Sequence, residues 1–127
     1  MVAWNEYKNA AQERGSLALE LYVVVTTPSS SPDEMKALLP DHLEYQGAQE
    51  AAGNLVFAGP LSDTTGEQIQ GEGMIIYRAA SLDAARALAD ADPMHAKGAR
   101  EYTLRKWLVN EGSLTIDIKL SGQSVRL

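Results

Sequence analysis

Cysteine is missing altogether from this 127-residue chain, and histidine occurs only twice, at His42 and His95. The first absence excludes disulfides, thiolate metal sites and cysteine nucleophiles together. The second makes a multi-histidine metal centre a poor expectation, and no metal-ligand set is expected. Long hydrophobic runs are missing too: the densest, Leu21 to Val25, is far short of the roughly 20 residues that a membrane span needs. Met1 to Lys8 show no basic segment followed by an apolar one, so no secretory leader is read there and the expected location is the cytoplasm. Basic residues are outnumbered, 11 against 17, for a formal charge of −6. An acidic chain offers no electrostatic footprint for nucleic acid or anionic lipid, so neither is an expected partner. Nucleotide motifs are also absent. Gly71-Glu72-Gly73 lacks the lysine and following helix of a phosphate-binding loop, and there is no dinucleotide fingerprint and no nucleophile elbow. No cofactor is therefore expected.

What is present is enough apolar residue, 45% of the chain, to build a core. Trp4, Tyr7, Ala10 and Ala11 recur at helical spacing and predict a helix over 2–13, stopped by Gly15. Leu17 to Thr27 reads as a strand whose upper end is apolar on both faces, as in the centre of a sheet. Ser31-Pro32-Asp33-Glu34 is a helix start with a capping box. Pro40 should kink or break that helix, which resumes over Asp41 to Ala52. Leu55 to Ala58 predicts a short strand closed by Gly59-Pro60, then a hairpin loop over 61–70 and a return strand over Gly73 to Arg78. Ser81 caps a helix to about Asp90, Asp92-Pro93 opens another helical turn, and Ala99 to Val109 alternates as a strand. The order is βαββαβ, the α+β ferredoxin-like arrangement, with two helices over one face of a four-stranded antiparallel sheet.

One domain is expected, with a core of about 17–109, an N-terminal helix of about 2–14 and a C-terminal β extension of about 112–127. In the extension, Leu114, Ile116, Ile118 and Leu120 alternate with polar residues, which predicts that the segment pairs with another strand or packs its apolar face against the partner subunit. The sheet face without helices, with Val24, Ile75 or Trp107 as its candidate residues, would need a second copy of the chain to cover it.

Two residues carry the best chemistry. His42 follows Leu38 and Leu39 at helical spacing, beside the apolar stripe, and histidine titrates near neutrality. Asp92 is explained by capping the turn that Pro93 opens, but one oxygen can cap while the other orients a histidine. His95 falls at the surface or at a pocket rim, and Asp90 faces solvent. Turn chemistry explains Ser62 and Asp63, and sheet packing explains Trp107.

His42-Leu43-Glu44-Tyr45, the run Gly53 to Leu61 with its Gly59-Pro60 close, and Ala89-Asp90-Ala91-Asp92-Pro93 follow one another at compatible gaps. Together they resemble the YciI-like, or YCII-related, family, over about Leu19 to Val109. The resemblance implies a ferredoxin-like fold of the dimeric α/β-barrel type, hence a homodimer. It also implies a pocket holding a His–Asp pair, which falls on His42 and Asp92, with Gly59 and Pro60 lining it. Tyr45, Ser62 and His95 are the candidates for further polar contacts to a small-molecule ligand. Two functional readings follow. In the first, the pair performs cofactor-free acid–base chemistry of lyase or isomerase type, dehydrochlorinase-like or muconolactone-isomerase-like. In the second, the same pocket belongs to a non-catalytic binding or regulatory domain.

Overall fold

Local rules account for most element boundaries of the computed structural model, which describes all 127 residues. The elements are α1 (Trp4–Glu13), β1 (Leu19–Pro28), α2 (Pro32–Ala51), β2 (Leu55–Ser62), β3 (Ile69–Tyr77), α3 (Leu82–Ala91), α4 (Pro93–Ala96), β4 (Arg100–Val109), β5 (Asp117–Lys119) and β6 (Ser124–Arg126). Ser31 accepts from the Glu34 amide at 3.2 Å, while the Glu34 carboxylate accepts from the Ser31 amide, closing the capping box. Ser81 caps α3 through the Ala84 amide at 3.1 Å.

Residues group into two compact units, 20–107 and the paired terminal segments 1–19 and 108–127. The larger unit carries the four-stranded sheet in the order β2-β3-β1-β4, with β3 antiparallel to both β1 and β2. This is the ferredoxin-like order. Tyr22 lies opposite Tyr77, and Val24 opposite Ile75. These four side chains form the buried core with Ala85 and Ala89 of α3. The two alanines sit one turn apart, and their small side chains let the helix axis approach the sheet. Val24 and Ile75 therefore face the helices, not the opposite side of the sheet as expected. Their neighbours in the alternation, Val23, Met74 and Ile76, take that opposite side, as does exposed Trp107.

Other differences from expectation have local causes. Helix α2 runs unbroken through Pro40, so of the expected kink or short break the break is not seen. Proline removes only one backbone donor there, and the good helix formers Ala37, Leu38 and Leu39 before it and Leu43 and Glu44 beyond it carry the helix past. Strand β2 continues through Gly59-Pro60 to Ser62, instead of ending before them, because it is an edge strand. On such an edge the missing proline N–H leaves no ladder bond unmade. The hairpin loop shortens accordingly to 63–68. Gly71 has φ of +101°, and a Cβ there would stand 2.6 Å from Pro28 Cγ, so the close approach of β3 to the end of β1 requires glycine.

In the smaller unit, α1 ends at a turn in which the Ser16 amide donates to Ala11 and the Leu17 amide to Asn110. Strands β5 and β6 pair only with each other, with Ile118 opposite Val125. The expected strand pairing is formed, while within the single chain Leu114, Ile116, Ile118 and Leu120 are all exposed. A two-stranded hairpin has no second layer to bury them against.

Candidate active site

The site begins with the periodicity of α2. Leu39, His42, Leu43 and Gln46 stand at i, i+3, i+4 and i+7, one face of the helix, and all four line a cavity of about 420 Å³. Facing them are Ala58, Gly59 and Pro60 of β2, Ile75 of β3, and the α3–α4 junction. An enclosed apolar void of roughly 150 Å³ holds benzene, so this cavity has room for a substituted ring or a molecule of similar size.

Asp92 ends α3 and caps α4 at once. Its Oδ1 accepts from the Met94 amide at 3.0 Å. The same carboxylate, fully buried, receives the His42 ring: Nδ1 lies 2.8 Å from Oδ1 and 2.9 Å from Oδ2. A carboxylate is acceptor-only, so Nδ1 carries the proton and donates it. In the neutral ring the lone pair then sits on Nε2, which has no protein partner. The His42 side chain is 18% exposed, enough to meet a ligand without being in bulk water.

His95 also borders the cavity but is chemically spent. Its Nδ1 donates to the Ala89 carbonyl at 2.8 Å, and its Nε2 lies 2.9 Å from the Thr26 hydroxyl. In the neutral ring Thr26 donates to Nε2. The ring packs against Tyr102 at 4.7 Å between centroids. Of the two histidines, only His42 presents an unclaimed nitrogen.

Gly59 and Pro60 line the cavity as expected, and His95 does so as a wall. Tyr45 and Ser62 do not. The Tyr45 hydroxyl donates to the Leu88 carbonyl at 2.7 Å, tying α2 to α3, and its ionisation is pushed up by burial and then by the Asp92 charge. The Ser62 hydroxyl donates to the Asp63 carbonyl in the hairpin turn. There Asp63 accepts from the Thr65 hydroxyl at 2.6 Å, which holds its carboxyl below the usual range. Both hydroxyls satisfy a backbone carbonyl instead of a ligand.

Sequence reasoning passed over Arg100. Burial lowers its tendency to stay charged, while the Asp92 charge opposes that shift. Its signal was available: Arg100 shares the inward phase of β4 with Tyr102 and Leu104, an unusual position for a cation.

Comparison with known proteins assigns the class. The model of the YCII-related domain matches residues 20–108, which include every residue of the cavity, and the chain belongs to that family. It is 35% identical over 66 residues to the uncharacterized protein YjpA of Bacillus subtilis (strain 168), covering 52% of this chain and 71% of that one. Among solved structures it is similar to the 5-chloro-2-hydroxyhydroquinone dehydrochlorinase TftG of Burkholderia phenoliruptrix AC1100, in complex with 2,5-dihydroxybenzoquinone. The TM-score is 0.56 at 18% identity, over 68% of this chain and 92% of that one. That likeness establishes a shared fold.

Proposed function

We propose that the protein is a cofactor-independent small-molecule enzyme in which Nε2 of His42 moves a proton and Asp92 holds the ring. One observation carries the reading: a single unclaimed imidazole nitrogen borders a largely apolar cavity, and a fully buried carboxylate fixes its tautomer. Neutral His42 would take a proton from a carbon or hydroxyl activated by an adjacent carbonyl. The imidazolium formed would be stabilised by Asp92, then return the proton to product or leaving group. This is the chemistry of a lyase or isomerase. The similarity to a dehydrochlorinase holding a dihydroxyquinone supports a hydroxylated six-membered ring as the ligand and elimination as the reaction. Exposed Phe57 and Trp107 support a homodimer formed over the sheet.

The test is a panel of chlorinated hydroxyhydroquinones, scored by chloride release and by solvent deuterium entering the product. Wild-type protein should turn over at least one member, and His42→Gln should lose about 10²-fold or more of that rate. Equal rates in the two proteins would overturn the proposal. Tight binding with no turnover would move the assignment to a binding domain.

A further inference from the structure

Arg100 is held on one wall of the cavity by neutral groups alone. Its Nε donates to the Thr26 hydroxyl at 3.0 Å, and its Nη2 to the carbonyls of Thr26, at 3.0 Å, and Gly71. Nη1 reaches only the Met35 sulfur, a weak acceptor, at 3.5 Å. A guanidinium has five N–H donors, so one on Nη1 has no partner. No carboxylate stands within ion-pair distance: the oxygens of Asp92 are already taken by His42 and the Met94 amide. Glu72, which also borders the cavity, is exposed to solvent. Asp92 acts on this partly buried cation only through space, so the donor left over on Nη1 is best completed by an anion in the cavity. Thr26 is itself buried and stiffens the arrangement, since its hydroxyl accepts from Arg100 while donating to His95.

We propose that Arg100 is the anion anchor of this cavity, so that the ligand presents a carboxylate or an ionised phenolic or enolic oxygen to it while its reacting atom faces His42. This names the substrate class of the site proposed above and rests on that reading for its catalytic meaning only. The planar fork suits such an oxygen because it is charged at every working pH and already oriented, so little further ordering is needed on binding. An ionised oxygen on Arg100 would also withdraw to a fixed position the charge that develops when His42 takes a proton.

The experiment uses the full chain and binding alone. Calorimetry compares benzoate with benzamide, which match in size and differ in charge. A second arm mixes the protein with 4-nitrophenol near its own ionisation midpoint and reads the phenolate absorbance. Wild-type protein should bind benzoate at least about tenfold tighter than the amide, or should raise the phenolate fraction. The arm that responds tells carboxylate from phenolate. The preference should disappear in Arg100→Gln, with a thermal melt confirming that the variant folds. Should Arg100→Gln not fold, the arginine Nε–H spectrum of the wild-type protein decides. The preferred anion should displace the Arg100 signal and its neutral counterpart should not.

No saturable binding of either anion, equal binding of benzoate and benzamide without a phenolate response, an undiminished preference in folded Arg100→Gln, or an unmoved Arg100 signal would each overturn the proposal. A chain that prefers anions through Arg100 but turns nothing over keeps the anchor and overturns the catalytic reading. A chain that turns over neutral ligands through His42 and ignores anions does the reverse.

Discussion

Asp92 accepts the Nδ1 proton of His42 at 2.8 and 2.9 Å while the same carboxylate caps α4 through the Met94 amide. Chemistry and architecture therefore share one side chain, and substitution can separate them. In Asp92→Asn the amide oxygen can still cap, but the group no longer carries the charge that stabilises imidazolium. The variant should fold with a modest loss of stability and lose about 10²-fold or more of any proton-transfer activity. Asp92→Ala should lose the cap as well, about 1–3 kcal/mol in stability. Chemical denaturation beside a rate assay checks both, and a fully active Asp92→Asn would remove the carboxylate from the mechanism.

Tyr77 presents a different imbalance. Its hydroxyl is buried at the core without a hydrogen-bond partner, and burial pushes its ionisation far above the ordinary tyrosine value. An unpaired buried hydroxyl costs about 1–3 kcal/mol. Tyr77→Phe keeps the ring and removes that cost, so its Tm should equal or exceed that of the wild type. A marked fall in Tm would mean that the hydroxyl has a partner such as an ordered water.

Pro40 lies inside α2, two residues before His42. A proline in a helix interior costs about 3 kcal/mol relative to alanine, of which roughly 0.4–1 kcal/mol is recovered because proline restricts the unfolded chain. Pro40→Ala should therefore stabilise the protein by about 2–2.6 kcal/mol. If the proline also sets the angle at which His42 meets Asp92, the stabilised variant will be slower. Denaturant midpoints and rates, measured together, distinguish a merely tolerated proline from one that positions the site.

The β5–β6 hairpin leaves Leu114, Ile116, Ile118, Leu120, Val125 and Leu127 exposed. Apolar strands left uncovered invite association. Light scattering should show the full chain as at least a dimer, and truncation after Asn110 should weaken that association or lower the Tm. The truncation leaves every residue that lines the cavity in place. A truncated chain that melts and associates like the intact one would make the hairpin dispensable.

Sequence alone determined whatever is decided within three or four residues. Ser31, Ser81 and Asp92 announce helix starts because each cap closes on an amide a few positions ahead. Alternation marked the strands, and the order of elements with the three motifs around His42, Gly59-Pro60 and Asp92 led to the family and the fold. Those motifs also paired His42 with Asp92 although 50 positions separate them. Tertiary structure decided the rest, because it concerns which groups meet from afar. His95 and His42 look alike in sequence, but the Ala89 carbonyl and Thr26 consume both nitrogens of one, and Asp92 takes only one of the other. Arg100 becomes a lone cation on the cavity wall only when β4, β1 and β3 bring together its guanidinium, Thr26 and Gly71. Likewise, the period-2 pattern separated Val24 from Val23 and Ile75 from Ile76, but did not show which of the two sets faces the helices. Both sides of a central strand are apolar, and only the packing of α3 against one of them makes the choice.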